Sequence, residues 1–301
     1  MRFRLALSVV SVLLLFAGVR QTASGLVDEA WKVTWEPAQP VNGSAVLFRV
    51  NAPAQVTALH GAWSGHELSF RFDRACACWY AVAGIDVDAK PGKQPLRLEA
   101  IDKAQTKATT NAAYSFEVAI AGKRYPTTAI TVAPEYVKPP QEVLARIEQE
   151  AAFKKQVFSQ IAPESYWMGR FKPPVDSQVT AIFGSARTYN GVKKSTHQGI
   201  DFRAAIGTTV RATNQGTVVL ARGLYYEGNC VVIDHGQGLL TIYMHLSEVR
   251  VKEGQKVEGG EILGLSGNSG RVTAPHLHFA VRWQGIYLDP ATLLELRPPG
   301  Q

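Results

Sequence analysis

Pro275-His276-Leu277-His278-Phe279-Ala280-Val281-Arg282-Trp283 begins on a proline and two histidines and runs on as an apolar stretch. Its β-branched and aromatic residues predict a strand over 277–283. In an extended chain, residues two apart share a face, so His276 and His278 can enter one site. Working outward, further strands are predicted at 178–183, 209–212, 216–221, 230–235 and 239–245. The region 175–301 therefore reads as all β, with histidines at its strand ends.

The N-terminal half reads as β of another kind. Short alternating runs at 45–50, 67–72, 79–82, 95–100 and 113–119 are punctuated by Asn42-Gly43 and Pro91-Gly92. That spacing predicts an immunoglobulin-like β-sandwich over 26–132. Pro134, Pro139 and Pro140 then break the pattern. Between 141 and 161, Val143, Leu144, Ile147, Ala151, Phe153, Val157 and Ile161 recur at mostly helical spacing, which predicts one amphipathic helix inside a Pro-rich linker over 133–174. Its apolar stripe must bury against a neighbouring domain.

Residues 1–25 carry Arg2 and Arg4, an uncharged run from Leu5 to Gly18, then Arg20 and a cluster of small residues. This is the layout of a signal peptide, and the run is shorter than the ~20 residues that span a bilayer. The expectation is an exported protein, periplasmic or secreted, without a stable membrane anchor after cleavage. An uncleaved N-terminal anchor is the alternative.

Over 301 residues, 46% hydrophobic and 19% charged describes a globular chain. The net charge of +7 includes no long Lys/Arg block, so nucleic acid is not an expected partner. Loss of Arg2, Arg4 and Arg20 would leave +4. A monomer is expected. Three cysteines against seven histidines exclude a disulfide framework and a four-cysteine zinc finger, leaving imidazole as the ligand to follow. Cys76 and Cys78 would share a strand face, and a bridge or two half-buried thiols both remain open. Cys230 reads as a small hydrophobe in a strand.

Four of the seven histidines fall in His197-Gln198-Gly199-Ile200-Asp201, in Tyr243-Met244-His245-Leu246-Ser247 and in Pro275-His276-Leu277-His278-Phe279. Two imidazoles with a carboxylate are a typical zinc ligand set, and a catalytic zinc keeps a fourth position open. Together with Gly264-Leu265-Ser266-Gly267-Asn268-Ser269-Gly270, Phe183-Gly184 and the run from Gly228 to Gly236, these motifs resemble, in order, the lysostaphin-type zinc endopeptidases. The resemblance covers about 171–294. It implies an all-β peptidase fold, Zn2+ held by His197, Asp201 and His278, and a peptide substrate in bacterial peptidoglycan. It also implies that His245 and His276 serve beside the metal as general acid/base and as stabilisers of the tetrahedral intermediate. A non-catalytic wall-binding regulator that activates another hydrolase is the competing reading; proteins of that kind usually lack a ligand, and none is missing here.

Other features invite a structural reading. Gly264 to Gly270 is followed by Pro275 and a strand, so it reads as a tight turn beside the site and not as a phosphate cradle. Asp234-His235-Gly236 reads as a strand end, and His60 and His66 as solvated or half-buried side chains. Arg187 to Gly191 reads as an exposed loop, with Tyr189 and Tyr225 as candidates to line a groove.

Overall fold

The computed structural model describes residues 31–102, 112–191 and 193–300. The signal peptide expected at 1–25 lies outside the described residues. Among the described residues, no helix is long and apolar enough to cross a membrane.

The chain is mainly β. Its first strands are β1 (Lys32–Glu36), β2 (Ala45–Asn51), β3 (Val56–Trp63), β4 (His66–Ser69), β5 (Arg71–Asp73), β6 (Cys78–Gly84), β7 (Gly92–Asp102) and β8 (Ala112–Ile120). They form two four-stranded antiparallel sheets, ordered β1-β2-β6-β5 and β4-β3-β7-β8. Phe48 on β2 meets Trp63 on β3 edge-on, with centroids 5.1 Å apart. The Trp63 indole N–H donates to the Gly84 carbonyl at 2.9 Å, so this large side chain is buried with its polar atom paired.

The run predicted as one strand over 67–72 is two strands in different sheets. The chain crosses between them at Phe70, whose ring is buried and whose N–H donates to Leu59 O. Cys76 and Cys78 are joined by a disulfide, with Cα atoms 5.2 Å apart. They do not share a strand face: Cys76 sits in a turn, and Ala77 adopts a left-handed φ of 48° that folds the chain back on itself.

After β9 (Thr127–Ile130) comes α1 (Gln141–Ser159), the helix expected from the periodicity. Beyond it lie β10 (Val179–Ala181), β11 (Ala186–Tyr189), β12 (Lys193–Thr196), β13 (Ile200–Phe202), β14 (Thr209–Arg211), β15 (Gly216–Leu224) and β16 (Gly228–Asp234). The chain continues through β17 (Leu239–Val249), β18 (Lys256–Val257), β19 (Ile262–Ser266), β20 (Leu277–Trp283) and β21 (Ile286–Leu288) to α2 (Pro290–Glu295). The expectation of an all-β C-terminal region is corrected by α2, a short helix started by Pro290 and capped by the Asp289 carboxylate on Ala291 N–H.

Ten of these strands form one sheet along β10-β13-β20-β17-β16-β15-β18, with β14, β19 and β21 attached. Alternation along β20 explains its near-complete burial. Leu277, Phe279, Val281 and Trp283 enter the main core. Ala280 faces the opposite side, where Leu220, Val232, Leu240 and Ile242 form a second cluster. Phe153 and Phe158 of α1 pack on that second cluster, so the helix stripe covers one end of the face that carries His278.

The main core does not stop between the two halves of the chain. A Cβ on Gly84 would lie 2.6 Å from Leu288 and 2.9 Å from Trp283, so only glycine allows this approach. Further contacts join the halves: Tyr80 meets Trp167, and His66 meets Trp283 at 4.8 Å. Lys123 pairs with Asp289 at 3.2 Å. Finally, β9 pairs in parallel with β11, which itself pairs with β12. A strand from before the linker thus joins the sheet beside the histidines.

Candidate active site

The register between β13 and β20 sets Asp201 directly opposite His278. Ile200, Phe202 and Phe279 turn into the core, which leaves Asp201 and His278 together on the other face. Asp201 Oδ1 lies 2.8 Å from His278 Nδ1. His197 arrives just before β13 and places Nε2 3.0 Å from Asp201 Oδ1 and 3.0 Å from His278 Nδ1. Its Nδ1–H donates to the Ile182 carbonyl at 2.8 Å, which fixes the tautomer and turns the Nε2 lone pair inward.

Gly199 is what allows the approach. A Cβ there would stand 2.4 Å from Phe279 O and 2.7 Å from His278 Nε2.

The donor set fits zinc. Two imidazole nitrogens and one carboxylate oxygen converge, all three residues being buried. Zinc at ~2.0–2.1 Å from each ligand needs donors roughly 3.3 Å apart, a few tenths of an ångström wider than the separations here. Burial alone would raise the Asp201 pKa, but hydrogen bonds to His197 and His278 outweigh it and hold the carboxyl well below the usual range. Burial lowers that of His278, which favours the neutral, ligating form.

Asp201 has a second partner: its Oδ2 accepts from Arg187 Nη2 at 2.7 Å. Arg187 to Gly191, read from sequence as an exposed loop, is corrected here. Residues 186–189 are β11, and Tyr189 is buried. Nothing in the local pattern marked this segment, because its strand character comes from β9 and β12 on either side.

His245 reaches the site through a break in alternation. Tyr243 and Leu246 both enter the core, while Met244 and His245 both line the cavity beside His197 and His278. The change occurs at His245, whose φ is 66°. Such a left-handed residue costs roughly 1 kcal/mol or more and acts as a bulge that re-aims a side chain. The His245 Nδ1–H donates to Ser269 O at 2.8 Å, so the glycine-containing turn read as a structural device holds this imidazole. Its ring lies 5.0 Å from that of His276 and 6.0 Å from that of His278. Burial, then the neighbouring His278 and His276, pushes its pKa down to about 3. The His276 Nδ1–H donates to Ala274 O at 2.7 Å, and its Nε2 stands 3.6 Å from Asp201 Oδ1.

Two cavities flank these groups, with Arg187 between them. One, of about 380 Å³, is lined by His197, His245, His278, Tyr189, Tyr226 and Arg271 among others. The other, of about 730 Å³, runs past Asp201 and His276 between β9 and the segment Thr273 to Pro275. Of the two tyrosines named from sequence, Tyr189 lines a cavity and Tyr225 does not; the Tyr225 hydroxyl donates to Glu135 O. Arg271 and Tyr226 escaped the sequence reading, their only signal being adjacency to a glycine turn and to Tyr225. His235 is a buried strand-end residue, bonded to Gln215 O and Thr241 Oγ1. His60 is exposed and His66 half-buried.

Two imidazoles and a carboxylate are gathered on the open face of a sheet, with grooves on both sides and two more imidazoles at hand, a set that could hold one metal ion. Residues 195–290 match the model of Peptidase family M23. The peptidoglycan DD-endopeptidase ShyA of Vibrio cholerae serotype O1 is 46% identical over 115 residues, which is 37% of this chain and 27% of that protein. The DD-carboxypeptidase/endopeptidase Mpg of Neisseria meningitidis serogroup B is 41% identical over 97 residues, 32% of this chain and 22% of that protein. The chain thus spans about a quarter of the length of these curated relatives. A crystal structure described as a peptidase M23 from Pseudomonas aeruginosa superposes with a TM-score of 0.63 at 26% identity, covering 85% of this chain and 95% of that one.

Proposed function

We propose that this chain is an exported zinc endopeptidase that hydrolyses peptide cross-links or stem peptides of bacterial peptidoglycan. The single observation that carries the reading is the meeting of His197, Asp201 and His278 with two further imidazoles between the two cavities. The relatives named as peptidoglycan endopeptidases support the substrate class.

In this reading His197, Asp201 and His278 hold the metal. Zinc, when bound, supplies a Lewis acid for the scissile carbonyl and lowers the pKa of water to ~7. Arg187 occupies the outer oxygen of Asp201 and leaves Oδ1 for the metal. His245 presents Nε2, since Nδ1–H is committed to Ser269; it would take a proton from the water that adds to the scissile carbonyl and pass it to the amine that leaves. His276, less buried and lining the second groove, would stabilise the oxyanion by donating from Nε2 when both its ring nitrogens carry protons.

The two four-stranded sheets act as an immunoglobulin-like scaffold over 26–132, joined by a linker over 133–174 to the peptidase region over 175–301. Residues 1–25 direct export. Purified protein with zinc should release muropeptides from intact peptidoglycan, and chelation should stop release until zinc is restored. Full zinc occupancy without any release would favour a wall-binding regulator instead.

A further inference from the structure

The cavity beside His245 contains two guanidinium groups. That of Arg187 is committed to Asp201 at 2.7 Å. Arg271 has no such partner: among the described residues, no carboxylate lies within ion-pair distance of it. The acid in the cavity lining, Glu227, has its Oε1 bound by Lys154 of α1.

Arg271 is nevertheless held firmly. Its N–H donates to Tyr226 O at 2.8 Å. The preceding Gly270 packs so tightly on the β15–β16 turn that a Cβ would lie 2.3 Å from Gly228 N. The guanidinium carbon sits 4.5 Å from the Tyr189 ring centroid and 4.8 Å from that of Tyr226. Aromatic faces steady a guanidinium without using up its N–H donors. An arginine fixed by rings, half-exposed and without a counter-ion among the described residues offers a planar fork that matches a carboxylate.

We infer that Arg271 is a specificity-determining residue that recognises a free carboxylate on the peptide bound in the cavity beside His245. The inference deepens the peptidase reading and rests on it. A neutral or carboxamide group in the same place would leave the guanidinium without its partner, so the site should distinguish a peptide acid from the matching amide.

The test uses the full chain loaded with zinc and two cross-linked peptides identical except that one carries a free carboxylate where the other carries a carboxamide. Wild type should prefer the acid about ten- to a hundredfold in kcat/KM, mostly through KM, the range expected of a charge-assisted bidentate contact. Arg271→Gln should bring the ratio close to one with zinc content unchanged, and Arg271→Lys should keep part of the preference. Loss of activity on both peptides alike, with the ratio preserved, would make Arg271 a brace between two tyrosines and overturn the inference. If wild type cleaves neither peptide, the peptidase reading fails. Binding of the two peptides, read by calorimetry, then decides the inference separately: a preference for the acid that Arg271→Gln abolishes supports it, and equal affinities overturn it.

Discussion

Gly199→Ala adds one methyl group at the place where β13 and β20 bring Asp201 and His278 together. The new carbon would lie 2.4 Å from Phe279 O and 2.7 Å from His278 Nε2, against ordinary contacts of roughly 3.5 Å. About 1 Å of movement must be found, and one obstacle is backbone of the partner strand. Metal sites tolerate about 0.2 Å in their ligand distances, so the His278 ring cannot absorb the movement without leaving its place. Weaker disturbances around metal ligands cost about 10–100-fold in affinity, and overpacking costs about 1–3 kcal/mol in stability. Zinc affinity, measured by competition with a chromophoric chelator, should fall at least tenfold. Thermal unfolding without zinc should show the stability loss. Gly259→Ala is the control, because its added carbon would meet Asn214 at an ordinary 3.4 Å. Wild-type zinc affinity in Gly199→Ala would refute the reasoning.

His245→Ala should retain zinc while kcat falls by about 10² to 10⁴, the usual worth of a general acid/base; loss of zinc by elemental analysis would place His245 among the ligands. Trp283→Ala, at a side chain only 1% exposed where the two halves of the chain meet, should cost about 3–5 kcal/mol in urea unfolding, and a change below 1 kcal/mol would show that this seam is loosely packed. Burial pushes the His235 pKa down from 6.5 to about 4. The unfolded chain therefore binds more protons between those values, and stability rises with pH there. The contribution of neutral His235 is complete above pH 6.5 and is lost as pH falls towards 4, a loss on the order of 3 kcal/mol. Replacing His235 with Gln should flatten that part of the pH–stability curve, whereas an unchanged slope would assign it to other groups.

How far the sequence reveals this site depends on the range of each signal. His197, Asp201, His276 and His278 lie in short motifs whose period-two spacing already joins the last two, and the structure brings the motifs together through one strand pair. The helix at 141–159 is legible because its apolar residues recur at mostly helical spacing with charges between them. Arg187 is different: it belongs to a segment that becomes a strand only when β9 and β12 flank it. His245 sits where alternation fails, and a pattern rule would have sent its imidazole into the core beside Tyr243. The seam between the two halves was hidden for a similar reason. Gly84, Trp283 and Leu288 each suit a strand locally, and only their packing shows that the two halves share one buried core.

The most direct test of the central claim is mass spectrometry of the products formed from a defined cross-linked muropeptide dimer, using the zinc-loaded full chain beside His278→Ala. The expected result is conversion of the dimer to peptide monomers by gain of one water, glycan bonds intact, with no conversion by the variant. An unchanged dimer after incubation with fully zinc-loaded wild type, or equal conversion by His278→Ala, would contradict the claim.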